Sequence, residues 1–290
     1  MNAERRNMQN LRIGVPSKGR LSELAAELLA QGGMGFRRQD RSLFARVKDI
    51  PIEITFLRTD DIPVLCAEGA IDMGITGSDI VQENEVDVQI RLKLGVGKCR
   101  LAVCVPESSS IQNVADLDGC RIASTFPRVT SAFLRQHNAS VHLVKLSGSV
   151  EVMVSLGVAD AIVDLVETGS TLAANQLRIL TEIGQYETVV IQGNGCRFPE
   201  LADRIIRRLE GVVIARSYSL LEYNIRRELL EQAEKVTPGF NSPTVNALED
   251  PDWCAVRVMV KKKDIIEAME KLESIGANAI LETEIANCRL

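Results

Sequence analysis

Ala161-Ile162-Val163-Asp164-Leu165-Val166-Glu167-Thr168-Gly169-Ser170-Thr171-Leu172 runs from an apolar strand, past two acidic residues, into a hydroxyl-rich turn that opens a helix. A short apolar run followed at once by a helix is half of a parallel βαβ unit. Hydroxyls, a glycine and the free amides of a first helical turn also make a cradle for a phosphate monoester. The same residues would serve as an ordinary Ser/Thr helix cap, and both readings stand at this level. A triphosphate loop of the Gly-x-x-x-x-Gly-Lys type is absent.

Outward from this stretch the α/β texture continues. Strands are expected at residues 11–15, 52–57, 73–76, 101–105, 121–123 and 142–145, with helices at 62–68, 129–136, 150–156 and 171–175. Leu21, Leu24, Ala25, Leu28 and Leu29 mark a further amphipathic helix. Pro106 and the Ser/Asn/Asp-rich segment behind it divide the α/β part into two lobes, and the β-rich run 187–192 carries the chain back to the first. The expected limits are 1–105 with a return at 187–211 for one lobe and 106–186 for the other. Residues 212–290 change texture and read β-α-β-β-α-β, a ferredoxin-like order of the ACT or PII kind. A bilobal fold of this sort holds its ligand between the lobes, near strand C-termini and helix N-termini.

Composition narrows the chemistry. The chain has 290 residues and a net charge of −5, which excludes a broad nucleic-acid surface, so an anionic ligand must be met by a few placed cations and amides. No apolar run approaches the ~20 residues needed to cross a bilayer, and the polar start at residues 1–10 lacks an export signal. Seven scattered cysteines without a C-x-x-C pair read as thiols of a reducing compartment, so the expected location is the cytoplasm. With His137 and His142 as the only histidines, histidine zinc sites are excluded and a histidine-based triad is disfavoured. Lys18-Gly19-Arg20 is a glycine turn with two cations after the first strand, Arg100 enters an apolar run, and Ser147-Gly148-Ser149 is a second anion nest or an N-cap.

The stretch 161–172 resembles the phosphoribosyl pyrophosphate loop of ATP phosphoribosyltransferases, Asp-Leu-Val-x-Thr-Gly-x-Thr-Leu. Ser17-Lys18-Gly19-Arg20-Leu21, Asp60-Asp61-Ile62-Pro63, Asp72-Met73-Gly74-Ile75-Thr76-Gly77, Cys99-Arg100-Leu101, Arg121-Ile122-Ala123-Ser124-Thr125-Phe126-Pro127 and Gly148-Ser149-Val150-Glu151 resemble further motifs of that family, in its order. The resemblance covers nearly the whole chain and implies the long form. Its fold would be a periplasmic-binding-protein-like pair of lobes followed by the regulatory βαββαβ domain.

The family's reaction is attack of adenine N1 of ATP on C1 of phosphoribosyl pyrophosphate, releasing pyrophosphate, as the first step of histidine biosynthesis. The resemblance implies catalytic roles for Asp164, Glu167 and Arg20. Phosphoribosyl pyrophosphate would be held by Asp164, Glu167, Thr168, Gly169, Ser170 and Thr171, and ATP by Lys18, Arg20, Asp72, Gly74, Arg100 and Glu151. Mg2+ would ride on the pyrophosphate with few protein ligands. Histidine, the feedback inhibitor, would meet Asn224, Phe240, Thr244 and Ala279, although the family more often has leucine where Phe240 stands. A homohexamer in equilibrium with a dimer is implied, with neither nucleic acid nor membrane as partner. A non-catalytic bilobal ligand sensor and a prephenate dehydratase-like enzyme are the other readings. The missing export signal and the strand–Asp–Thr-Gly-Ser-Thr–helix unit count against the sensor, and the ordered motif set counts against the dehydratase-like enzyme.

Overall fold

In the computed structural model the described residues are 10–39 and 42–289, so most of the polar start read above lies outside them. The chain divides into two compact units, one ending at Ala202 and built from residues up to Ala26 with Phe36–Ala202, the other from Glu27–Gly35 and Asp203–Leu290.

In chain order the first unit contains β1 (Leu11–Pro16), the start of α1 (Arg20–Gln31), β2 (Phe44–Arg46), β3 (Ile52–Leu57), α2 (Asp61–Ala67), β4 (Met73–Gly77), α3 (Ser78–Asn84), β5 (Val88–Lys93) and β6 (Cys99–Pro106). There follow β7 (Arg121–Ser124), α4 (Pro127–Gln136), β8 (His142–Lys145), β9 (Ala161–Val166), α5 (Ser170–Ala174), β10 (Leu177–Tyr186), β11 (Thr188–Gly193) and the start of α6 (Pro199–Ser217). Two sheets result, with orders β2-β3-β1-β4-β11-β5 and β10-β6-β9-β7-β8. β1 runs parallel to β3 and β4, and β7 runs parallel to β8 and β9, as the apolar-run-then-helix pattern requires. Each sheet carries its own core: Ile62, Ile71, Val189 and Ile191 belong to the first, Leu101, Val103, Ile122 and Val163 to the second.

The chain passes from the first sheet to the second between β5 and β6 and returns between β10 and β11. This corrects the expected lobe limit at residue 105. β6 pairs with β9 and β10, so the crossover precedes Cys99 and lies in the glycine-rich segment 94–98, not at Pro106. The two crossovers run side by side: Thr188 N–H donates to the Val96 carbonyl (3.0 Å) and Leu94 N–H to that of Thr188 (3.0 Å). Two α/β lobes joined by paired crossovers form a periplasmic-binding-protein-like fold.

The second unit comprises most of α6 and β12 (Tyr218–Arg226), α7 (Leu230–Val236), β13 (Thr244–Ala247), β14 (Trp253–Lys261), α8 (Ile265–Ile275) and β15 (Asn278–Glu284). Its antiparallel sheet has the order β13-β14-β12-β15, the ferredoxin-like arrangement. Alternation along β12 buries Ser219, Leu221, Tyr223 and Ile225, and of these the last three pack in one core with residues of α7 and α8. The end of α1 belongs here too, where Arg216 Nη2 meets Glu27 at 2.9 Å and its Nε donates to Gln31 at 2.8 Å.

Candidate active site

A cavity of about 660 Å³ opens within the first unit, where the strands of both sheets end and the crossovers meet. From the first sheet it takes Arg20, Leu21 and Leu24 after β1, Thr59 after β3, and Gly77, Asp79 and Ile80 after β4. The crossovers contribute Val96, Gly97, Cys99, Glu187 and Thr188, and the second sheet contributes Phe126, Leu165 and Glu167. Gly97 has φ +63°, and a Cβ there would lie 2.5 Å from the Thr188 hydroxyl, so the close approach of the crossovers requires glycine.

Arg20 and Glu167, called from distant motifs, meet across this cavity, the guanidinium Nη1 donating to the carboxylate at 3.2 Å. Arg20 is otherwise open to water, with a side chain 78% exposed, so its fork remains available to phosphate oxygens. Lys18 is exposed in the same turn, which Arg38 anchors by donating to the Ser17 carbonyl at 2.9 Å while lying over the Phe56 ring.

Behind Glu167 the loop turns through Gly169, at φ +80°, into α5. The Thr168 and Ser170 hydroxyls lie 3.1 Å apart, and the first-turn amides of α5 have no intrahelical acceptor. Asp164 points to the face of β9 opposite Leu165 and accepts from the Leu165 amide at 2.8 Å. Burial raises the Asp164 carboxyl pKa, and the nearby Glu151 charge adds to the rise. Glu151 therefore lies near enough to Asp164, beside the loop, for its charge to be felt. Ser149, in the left-handed region at φ +52°, precedes a short 3-10 turn (Val150–Val152) that carries Glu151 where a longer helix was expected.

Three residues expected at ATP lie elsewhere. Asp72 lies before β4, at the end of the strand away from Gly77, with its side chain 1% exposed. It accepts from Arg12 N at 2.8 Å and from Arg197 N, Nε and Nη2 at 3.1, 3.0 and 2.7 Å, which makes it a structural ion-pair residue. Gly74 is outside the cavity lining: a Cβ there would lie 2.4 Å from Ile62 and 3.3 Å from Ile191, so the glycine lets α2 pack on the sheet. Arg100 leaves the cavity to its neighbour Cys99, and its guanidinium meets Glu182 on β10 at 2.5 Å.

Several contributors escaped the sequence reading. Asp79, Phe126, Glu187 and the 96–97 crossover converge only through the topology. Another is a cross-lobe contact in which α3 abuts α4 end to end. The Glu83 carboxylate accepts from Arg128 N and Val129 N (2.9–3.1 Å), and Arg128 Nη1 donates back to the Glu83 and Asn84 carbonyls at 3.1 and 2.8 Å. Each helix thus satisfies the other's free terminus. Burial, with Asp79 and Glu167 nearby, pushes the Cys99 thiol up to about 11, so it stays protonated at neutral pH and offers no thiolate nucleophile. His137 Nδ1 donates to the Phe133 carbonyl at 2.9 Å, a structural contact.

In the second unit Asn224, on β12, sits beside Ala255 and Asn278, and Thr244 lies opposite Arg257. Alternation puts both on the sheet face away from the helices. Phe240 packs on Tyr218 with ring centroids 4.9 Å apart, and Ala279 has φ +49° at the irregularity in β15.

The family model described as HisG: ATP phosphoribosyltransferase matches residues 58–211, and the model for the HisG C-terminal domain matches residues 215–287. The ATP phosphoribosyltransferase of Rhodopirellula baltica is 64% identical over 280 residues, covering 97% of this chain and 94% of that one. The chain belongs to the ATP phosphoribosyltransferase family. It is a transferase acting at the first step of histidine biosynthesis, and the long form is shown by the C-terminal match. Homologues bearing the same name in Saccharopolyspora erythraea and Mycobacterium tuberculosis are 40% and 38% identical, covering 97% and 96% of this chain and 100% and 99% of theirs. Among solved structures, the ATP phosphoribosyl transferase (HisG:HisZ) complex from Thermotoga maritima aligns with a TM-score of 0.63 at 30% identity, over 70% of this chain and 98% of that one. The readings as a sensor or a dehydratase-like enzyme are set aside. Among the described residues no helix is long and apolar enough to cross a membrane.

Proposed function

We propose that the cavity between the lobes takes ATP and phosphoribosyl pyrophosphate together and joins adenine N1 to C1 of the phosphoribosyl group. The observation that carries this reading is the convergence of Arg20, Glu167 and the Thr168–Thr171 loop at the strand ends that border the cavity. The amides and hydroxyls of Thr168, Gly169, Ser170 and Thr171 grip the 5′-phosphate of the ribose. Arg20 and Lys18 meet the phosphates of ATP and of the departing pyrophosphate. Ring N1 is a weak nucleophile, so the barrier falls through alignment and charge placement. As the C1–oxygen bond lengthens, positive charge grows on the ribose, and the carboxylates of Glu167 and Asp164 stabilise it.

Among the described residues no group of three or more His, Cys, Asp or Glu forms a metal cage. Asp164, whose pKa burial raises and the Glu151 charge raises further, suits with Glu151 a cation that brings most of its ligands with it. Mg2+ carried on the pyrophosphate would neutralise the leaving group, with Asp164 and Glu151 as its protein neighbours.

The second unit is the feedback domain in this reading, with histidine held on the open sheet face by Asn224, Phe240, Thr244 and Ala279. The enzyme works in the cytoplasm as a homohexamer in equilibrium with a dimer. The test is pyrophosphate release: it should require ATP, phosphoribosyl pyrophosphate and Mg2+ together and fall on addition of histidine. Release independent of ATP would sink the transfer, and release indifferent to histidine would sink the feedback role.

A further inference from the structure

Three carboxylates line the cavity, and two of them are engaged. Glu167 accepts from Arg20 at 3.2 Å, and Glu187 accepts from the Gly95 amide at 3.0 Å with Lys93 3.8 Å away. The third, Asp79, is 6% exposed and has no cationic partner among the described residues. Its charge is felt by Cys99, which also lines the cavity, and by Tyr186. The walls around it are apolar: Leu21, Leu24, Ile80, Val96, Phe126 and Leu165. A buried, unpaired carboxylate among such walls is costly, and a site of this kind accepts a flat apolar ring carrying a hydrogen-bond donor better than it accepts phosphates.

We propose that Asp79 accepts a hydrogen bond from the 6-amino group of the adenine and acts as counter-ion to the positive charge the ring acquires during transfer. The inference rests on the cavity being the ATP site and assigns the base end of that site. In the step itself the N1 lone pair forms the bond to C1, and the C1–oxygen bond breaks with its electron pair leaving on pyrophosphate. No proton need move. The six-membered ring becomes a cation whose charge is shared with the 6-amino nitrogen, and the carboxylate interacts more strongly with that cation than with neutral adenine. A preorganised charge that gains only as the reaction proceeds lowers the barrier. Burial, with Asp60 nearby, raises the Asp79 pKa while its hydrogen bond from Ile80 N opposes the rise, and a cationic ring favours the ionised form.

The competing role for Asp79 is structural, an acid in the first turn of α3. The experiment separates the two with a second substrate, the ATP analogue bearing hydrogen in place of the 6-amino group. Asp79→Asn should lower kcat with ATP on the order of 100-fold. It should leave phosphoribosyl pyrophosphate affinity and the thermal melt unchanged, and lower turnover of the analogue clearly less than turnover of ATP, because the analogue's ring also becomes cationic but donates no hydrogen bond to the carboxylate. An equal fall with both substrates, or no fall with ATP, overturns the proposal. A second arm needs no variant: N1-methyl-ATP, which carries the ring charge permanently, should bind the wild-type protein on the order of tenfold more tightly than ATP. Equal or weaker binding overturns the proposal even if the variant does not fold. Failure of the wild-type protein to turn over ATP at all would instead overturn the functional reading, and this inference with it.

Discussion

Replacing Asp72 by asparagine separates a structural acid from a nucleotide ligand, because the two roles predict opposite results. The native carboxylate accepts four hydrogen bonds, three of them from Arg197, with its side chain 1% exposed. Asparagine keeps one acceptor oxygen and turns an N–H group toward the guanidinium, so part of the Arg197 fork loses its partner. Breaking one side of a buried pair costs roughly 3–5 kcal/mol. The Arg197 side chain is 33% exposed, so water recovers part of that loss. A destabilisation of about 3 kcal/mol follows, or a Tm lower by roughly 6–10 °C in a protein of this size. Burial pushes the Asp72 pKa up, but the bonds from Arg197 and Arg12 outweigh it and hold the carboxyl below its ordinary value. The stabilisation is therefore complete above an unfolded pKa of about 3.9 and disappears as pH falls through the lower folded value. Calorimetry should show a constant gap between wild type and variant from about pH 5 to 8, closing only below about pH 4. The Michaelis constant for ATP should not change. A variant that melts with wild type while losing ATP affinity would refute the reasoning and return Asp72 to the nucleotide site.

Thr168→Ala and Thr171→Ala should weaken phosphoribosyl pyrophosphate by about 1.5–3 kcal/mol each in titrations, with a much smaller effect on ATP. Equal losses for both substrates would count against the loop assignment. Arg20→Ala should raise the apparent Michaelis constant for ATP while moving the melt by less than about 1 kcal/mol, since its pair with Glu167 is exposed. Thr244→Trp should relieve histidine inhibition while uninhibited turnover stays near wild type, because the two sites are coupled only through a conformational equilibrium. Lost activity with histidine affinity retained would assign Thr244 to packing. Truncation near Gly211 is a poor test of the same point. It would cut α6 (Pro199–Ser217) in mid-helix and remove Arg216, the partner of Glu27 and Gln31 at the end of α1.

Local signals carried much of the fold. β1, β3, β4, β7 and β9 stand within one residue of the apolar runs that announced them, because each run is largely buried and bounded by turn residues, and β8 stands where expected although it is only half-buried. β5 and β10 were missed because they carry charge along half-exposed strands: Arg91 and Lys93 in one, Arg178 and Glu182 in the other. α3 is seven residues long and mostly polar, too short for a helical stripe. At the site, Arg20, Glu167 and the 168–171 loop were legible because each is a local motif. Asp79 was not, since Gly77-Ser78-Asp79 gives no hint that crossovers 18 and 108 residues downstream, at Gly97 and Glu187, will close around it. Asp72 and Gly74 lie away from the cavity for one reason. A strand motif fixes which residues are near one another, but the end of the strand that faces the ligand is set by the sheet.

The central claim concerns which bond is made, and ATP labelled with nitrogen-15 at N1 tests it directly. Incubated with the protein, Mg2+ and phosphoribosyl pyrophosphate labelled with carbon-13 at C1, the labelled nitrogen should show a new one-bond coupling to the ribose C1 carbon of the product as pyrophosphate appears in equal amount. Pyrophosphate released while the N1 signal stays that of ATP, or a ribose bonded to another nitrogen, would contradict the account.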